Sequence, residues 1–399
     1  MSNQSPYKIP IVDLGAQYGP IRAEVQSAID EVVESQQFIL GPAVTRFETQ
    51  MAAHLNCRHA VGVASGTDAL LLALMALGIG PGDAVITTPF TFFSTVSSIT
   101  RLGAMPMFID IDDDDYLLSA KALGQLLSER GRIRDGVTID RQSGLRLKAL
   151  LPVHLFGQCC AMAEFVALAK QFAMNIVEDA AQACGARMEI NRQVKFAGAI
   201  GDLGCFSFFP SKTLGAFGDA GLVTAETNAL AACLRMLRMH GESSKYHHDV
   251  TGINSRLDSL QAAVLSVKQK YLATWCEERI ARAGVYHRLF NESGLLGDCI
   301  LAIPPPSVDQ SHVFSNYVIR AERRDELKRF LADNGIQSEI YYPLALHLQK
   351  CFADLNYKRG DFPQAELAAS QVLALPLYPE LTSDQQETVV AKIRAFYRR

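Results

Sequence analysis

Between about residue 60 and residue 226 the chain alternates two kinds of apolar pattern. Short runs rich in β-formers recur as AVGVAS, DAVITTPF, PMFIDID, LKALLPVHL, MNIVEDAA, GCFSFF and GLVTAE. Several are separated by stretches with helical spacing, such as TDALLLALMALG and AEFVALAKQFA. Runs that are apolar on both faces and alternate with helices predict an α/β domain, with a mostly parallel central sheet covered by helices. Ligands bind such sheets at the carboxyl ends of the strands, so the polar residues just after these runs are the candidates for chemistry.

After about residue 227 the texture changes to a long helical region, then HVFSNYVIRA, DELKRFLADNG and IQSEIYYP in strand-helix-strand order. This predicts a smaller α+β domain, with the chain divided into a large domain over 1–250, including an N-terminal arm, and a C-terminal domain over 251–399. Ser383 and Gln386 fit a capping box for the final amphipathic helix. The polar, basic segment 128–148 could be a hairpin, and reads more simply as a solvated excursion.

Composition narrows the partners. The 399 residues carry 38 basic and 42 acidic side chains, a net charge of −4, which gives no reason to expect a surface for nucleic acid or an anionic membrane. No apolar run reaches the roughly 18 residues of a membrane span. Nine cysteines without a CxxC pair, and a start (MSNQSPYKIP) without a basic-then-apolar run, point to a reducing cytoplasm.

Four features carry candidate chemistry. At AVGVASGTDAL a strand passes into a helix at Ser65, Gly66 and Thr67, where free N–H groups and the helix dipole would favour a phosphate; the same residues would equally serve as a helix cap. Glu178 and Asp179 close another run, with Gln182 three residues on, and a carboxylate there could pair with a protonated ring nitrogen or cap the next helix. A metal is not expected at these acids, because no His or Cys completes a ligand set. Phe92 offers a flat apolar face for stacking. Ser207 and Lys212 flank the turn in CFSFFPSKTLGAFGDAG, the hydroxyl suited to phosphate and the amine to a carbonyl, although lysine after Pro-Ser also begins ordinary surface helices. Phosphate cradle, ring acid, aromatic platform and lysine are the four parts that pyridoxal 5'-phosphate requires.

With these residues in view, the chain resembles the DegT/DnrJ/StrS family of sugar aminotransferases, which have the fold-type I architecture. The resemblance runs through VDLGAQY, FILGPAVTRFE, SGTDAL, TTPFTFFST, PVHLFGQ, VEDAAQACGA, FSFFPSKTLGAFGDAG, GINSRLDSLQAA and SEIYYPLALHLQ. It implies that Lys212 forms the Schiff base with pyridoxal phosphate and carries the proton. Related sugar dehydratases have histidine at that position, so lysine argues for amino transfer. It also implies Asp179 on the ring nitrogen, Gln182 near the ring hydroxyl, Gly66, Thr67 and Ser207 on the phosphate, and Phe92 on the ring face. Asn254 would reach the phosphate of a neighbouring subunit, which implies a homodimer with shared active sites. Arg256, Tyr341, Tyr342 and His347 would line the sugar pocket. The expected reaction moves an amino group from L-glutamate to a nucleotide-linked 3-oxo sugar, either a UDP-N-acetyl-3-oxo-hexose or a dTDP-3-oxo-6-deoxyhexose, for glycan or lipopolysaccharide biosynthesis. The alternatives are a 4-oxo-sugar aminotransferase, a non-catalytic cofactor sensor and an NAD-dependent sugar oxidoreductase. The glycines of GAFGDAG are expected to let the backbone pass close to cofactor and substrate.

Overall fold

The computed structural model describes residues 7–398. Residues 1–6, part of the start read for a targeting signal and of the N-terminal arm, lie outside the described residues. The N-terminal part forms α1 (Leu14–Tyr18), α2 (Arg22–Ser35) and α3 (Pro42–His54). The α/β part follows as β1 (His59–Val63), α4 (Gly66–Ala76), β2 (Asp83–Thr87), α5 (Phe93–Arg101), β3 (Met105–Phe108) and α6 (Ala120–Arg130). Next come β4 (Gly131–Arg134), β5 (Val137–Asp140), β6 (Arg146–Leu150), α7 (Met162–Gln171) and β7 (Asn175–Asp179). A small ribbon of β8 (Arg187–Ile190) and β9 (Gln193–Phe196) precedes β10 (Leu203–Ser207), β11 (Gly221–Ala225) and α8 (Asn228–Leu237).

The main sheet has the order β1-β11-β10-β7-β6-β2-β3. Its β10/β7, β7/β6, β6/β2 and β2/β3 pairs are parallel, and β11 runs antiparallel to both neighbours. Strands β2 and β11 are buried at every position, because helices cover both faces. The period of two sorts side chains between two cores. Val61, Cys205 and Val223 join Leu70, Ile86 and Phe165 on one face, while Ala60, Phe206 and Leu222 meet Phe47, Met51 and Leu265 on the other.

The remaining elements are the exposed ribbon β12 (Glu242–Ser244) and β13 (His247–His248), then α9 (Ser259–Gln269), α10 (Leu272–Ser293) and β14 (Ile300–Ala302). After these come β15 (Tyr317–Ala321), α11 (Arg324–Asp333), α12 (Pro363–Gln371), β16 (Val372–Leu375) and α13 (Ser383–Tyr397). Strands β14, β15 and β16 form a separate antiparallel sheet over a third core that includes Tyr286, Phe290, Tyr317 and Ile393. Helix α9 packs instead on α2 and α3.

Two local expectations are corrected. The capping box of α13 uses Thr382 and Gln385, one residue earlier than Ser383 and Gln386, and Gln386 is buried with its amide donating to the Arg282 carbonyl at 2.8 Å. The 128–148 segment is no solvated excursion: β4 and β5 form a hairpin that joins the main sheet through Ile139 and Arg146. Buried Asp140 anchors it, accepting from Arg130 Nε and Nη2 and from Ser143 N, each at 2.8 Å. Burial alone would raise the Asp140 pKa, but the Arg130 and Ser143 hydrogen bonds override it and hold the carboxyl at about 2.

Candidate functional site

Strands β1, β2, β7 and β10 all end at one edge of the sheet, and β11 starts there, so the segments that follow them meet. They enclose a cavity of about 470 Å³, within the range of small-molecule sites. Ser65, Gly66, Thr67 and Ser207 line one part of it, and Phe92, Asp179, Gln182 and Lys212 another. Tyr341 and Tyr342 complete the group of sequence candidates that reach it.

The phosphate candidates have a local cause. Ser65 caps α4, its Oγ accepting from Asp68 N at 3.1 Å, so the capping role is realised in its side chain. The Gly66 and Thr67 N–H groups head the helix without intrahelical acceptors. Gly66 faces Ser207 so closely that a Cβ on it would lie 2.6 Å from Ser207 Cβ. Any larger residue would close the gap between the helix start and the end of β10. Thr67 Oγ1 is 2.7 Å from Ser94 Oγ.

Glu178 and Asp179 diverge because adjacent strand residues point to opposite faces. Fully buried Glu178 accepts from Gly198, Ile200 and Gly201 N at 2.8, 2.7 and 2.6 Å, and its Oε2 lies 2.9 Å from His154 Nε2. His154 Nδ1 in turn accepts from Cys160 N at 3.0 Å, so this pair is structural. Asp179 faces the cavity, held by Thr95 Oγ1 at 2.8 Å and Ala181 N at 3.2 Å. Burial pushes its pKa up, opposed by those two hydrogen bonds and by the charge of Lys212. Burial likewise lowers the Lys212 amine to about 8, opposed by Asp179. An acid with fixed lone pairs and an amine poised near neutrality thus share one wall.

Gln182 bridges two segments, its Oε1 accepting from Phe156 N at 2.7 Å and its Nε2 donating to Tyr342 Oη at 2.9 Å. Phe92 lies beyond the end of β2, as the residue before α5, and presents a 54% exposed ring to the cavity, 6.0 Å from the Tyr342 ring. Pyridoxal phosphate fits this donor set: a helix start and hydroxyls for phosphate, a held carboxylate for the ring nitrogen, an exposed aromatic face and an amine.

Three sequence candidates do not line the cavity. His347 is buried away from it, its Nε2 3.0 Å from Glu366 and its ring packed on Phe362. Asn254 is exposed and Arg256 half-buried, both outside this chain's cavity. Two glycines of GAFGDAG are also needed for close packing within the protein. A Cβ on Gly215 would stand 2.3 Å from the Pro210 carbonyl oxygen, and one on Gly221 would stand 2.3 Å from that of Ser65. Their small size packs backbone on backbone. Sequence reasoning missed Thr95, whose position one helical turn after Thr91 could have signalled a shared face, and Asp219, Ser315 and Asn316, which also line the cavity. Among the described residues no cluster of three or more His, Cys, Asp or Glu could hold a metal, and no helix is long and apolar enough to cross a membrane.

This arrangement defines a pyridoxal-phosphate-dependent transferase of the fold-type I architecture. Residues 20–394 match the DegT/DnrJ/EryC1/StrS aminotransferase family, and the chain belongs to that family, whose cofactor is pyridoxal phosphate. It is 44% identical to a "Pleiotropic regulatory protein" of Geobacillus stearothermophilus, over 98% of this chain and 99% of the relative. It is 40% identical to the UDP-N-acetyl-3-dehydro-alpha-D-glucosamine 3-aminotransferase of Acidithiobacillus ferrooxidans, over 97% of each chain. The crystal structure of S. venezuelae DesV in complex with a ketimine intermediate superposes with a TM-score of 0.87 at 39% identity, covering 99% of this chain and 100% of DesV.

Proposed function

We propose that this aminotransferase moves the amino group of L-glutamate to the ketone of a nucleotide-linked 3-oxo sugar, of the UDP-N-acetyl-3-oxo-hexose or dTDP-3-oxo-6-deoxyhexose kind, for glycan or lipopolysaccharide assembly. The observation that carries the reading is the convergence of Lys212, Asp179, Ser207 and the Gly66–Thr67 helix start on one cavity. The 3-dehydro sugar and the 3-amino transfer in the name of the Acidithiobacillus relative support the regiochemistry.

In this reading Gly66 and Thr67 N–H and the Ser207 hydroxyl bind the phosphate, Asp179 binds the ring nitrogen and Phe92 covers a ring face. The bound cofactor supplies an electron sink for the pair left when the donor's α-proton departs. Lys212 Nζ takes that proton in the first half-reaction and returns one at the sugar carbon in the second. An amine lowered to about 8 is suited to both directions near neutral pH. Thr95 fixes the Asp179 carboxylate so that its charge stays on the ring nitrogen rather than turning toward Lys212. Tyr341 and Tyr342 shape the sugar side. Asn254, exposed on this chain, contributes to the site of a second copy in a homodimer, and Arg256 accompanies it toward the sugar. The division of the chain near residue 250 belongs to the same proposal, with α9 seated on the N-terminal unit.

The test is the absorption spectrum of the cofactor-loaded protein. Its visible band should bleach with L-glutamate and return with a 3-oxo, and not a 4-oxo, sugar nucleotide. A regulatory role, prompted by the name of the Geobacillus relative, requires instead that the band survive excess glutamate.

A further inference from the structure

Ser315 and Asn316 enter the cavity from the turn that leads into β15. Ser315 Oγ is buried and has no hydrogen-bond partner. The Asn316 side-chain amide likewise has no protein partner among the described residues. Buried polar groups in native proteins are paired, so an orphaned hydroxyl at a ligand cavity marks a place for a ligand atom. The turn itself is firmly held. Val313 N donates to Gly157 O at 2.9 Å and Asn316 N to Phe156 O at 3.4 Å. Phe156 N donates in turn to Gln182 Oε1 at 2.7 Å. A Cβ on Gly157 would stand 2.9 Å from Ser315 N, so the two segments touch. Ser315, Asn316 and Gln182 therefore belong to one hydrogen-bonded unit.

The ligand follows from charge and connectivity. Lys212 is the sole cationic side chain among the described residues that line the cavity, and the proposed chemistry commits it to the carbonyl and the proton. A donor amino acid nevertheless brings a carboxylate on the carbon that bears its nitrogen. In pyridoxal the hydroxyl and the carbonyl stand on neighbouring ring carbons, so with Gln182 at the hydroxyl, groups joined to Gln182 flank the donor's α-carbon. We infer that Ser315 Oγ and Asn316 Nδ2 are the donors that bind the α-carboxylate of the amino-acid substrate. The inference rests on the functional reading above. Neutral donors suit a site that must release a carboxylate and then take a hydroxylated sugar, because an arginine would be left as a buried unpaired charge in the second half-reaction.

The test uses the cofactor-loaded protein and three variants, Ser315→Ala, Asn316→Ala and Asn316→Asp. Binding of 2-methyl-L-glutamate, which has no α-hydrogen to lose, is titrated through the cofactor absorption. Single-turnover rates are then taken separately with L-glutamate and with the 3-oxo sugar nucleotide. A hydrogen bond to a charged group corresponds to about tenfold in affinity. Each alanine variant should thus weaken 2-methylglutamate about tenfold and leave the sugar half-reaction within a few-fold. Asn316→Asp should weaken it further, through repulsion. Thermal melts and cofactor affinity should stay at wild-type values, and if Ser315→Ala does not fold the Asn316 pair decides.

Unchanged 2-methylglutamate affinity overturns the inference, and so does an equal loss in both half-reactions. A loss confined to the sugar half-reaction, seen only with a uronic-acid sugar, also overturns it by giving the carboxylate to the acceptor. A wild-type protein whose band ignores L-glutamate overturns the functional reading and the inference together, whereas failure of the variants alone leaves the functional reading standing.

Discussion

Two buried lysines meet the 205–221 segment, Lys212 within it and Lys268 packed against it, and their surroundings divide them. Lys212 follows β10 and lines the ligand cavity together with Asp179, whose charge it feels. Lys268, on α9, lines a separate, mostly apolar cavity of about 460 Å³ with Tyr18, Pro210 and Phe217. Burial lowers each amine to about 8. Lys268 is 3% exposed, donates to the Gly215 carbonyl at 2.5 Å and lies 5.7 and 5.9 Å from the centres of the Phe217 and Trp275 rings. One amine has a cavity that it shares with a carboxylate, and the other has a backbone carbonyl and aromatic faces. A depressed lysine pKa therefore reports burial. Function depends on what the amine can reach.

The largest expected effect separates them outright. Lys212→Ala should cut amino transfer by about 10²–10⁴-fold or more, the contribution of a general base, while Lys268→Met should alter it only a few-fold. Steady-state turnover with L-glutamate and a 3-oxo sugar nucleotide reads both. Incubation with pyridoxal phosphate at pH 8 followed by borohydride reduction should label Lys212 and spare Lys268 in peptide mass spectra. Equal labelling would erase the distinction.

The support of the Lys212 side can be broken in steps. Asp179→Asn should cost about 10²–10³-fold in turnover, as loss of a preorganised charge does. Thr95→Val removes one hydrogen bond to that carboxylate and should cost about tenfold. Equal losses for the two variants would mean that Thr95 holds more than the carboxylate.

The smallest effects lie in stability. Between pH 8 and lysine's ordinary pKa of about 10.4, an unfolded chain binds more protons at these two sites than the folded apoprotein, so stability rises with pH across that window. Lys268→Met leaves the Gly215 carbonyl unpaired, at a cost of about 1–3 kcal/mol, and also removes a buried charge. Its deficit in denaturant unfolding should be fullest above that window and shrink as the pH falls toward 8. Asp140, held at about 2 by Arg130 and Ser143, gives a slope of the same sign in the acid range. Its stabilisation of the hairpin is present above the ordinary carboxylate pKa and lost as the pH falls toward 2. Asp140→Asn should abolish that acid-side slope without changing turnover.

Much of this was legible in the order of residues. Short doubly apolar runs rich in β-formers, alternating with helical patterns, read as strands covered on both faces, so the main sheet and its helices follow from local pattern. Strand ends followed at once by Ser-Gly-Thr, Glu-Asp or Ser-Phe-Phe-Pro-Ser-Lys mark the chemical edge, because the end of a parallel strand is where backbone groups and helix starts come free. Contacts distant along the chain were not legible. Nothing local says that Asp140 is buried under Arg130, that Thr95 meets Asp179 across 84 positions, or that His347 turns inward to Glu366.

The sequence by itself determined the α/β class, the family and the residues that gather at one sheet edge, since each depends on periodicity and short motifs. Only the tertiary structure showed how the adjacent Glu178 is turned away from the cavity to His154, that Lys268 is as depressed as Lys212 but faces a carbonyl and aromatic rings, and where a buried serine hydroxyl lacks a partner. Those outcomes depend on which face a strand turns toward its neighbours and on what those neighbours are, and both are set by packing between segments far apart in the chain.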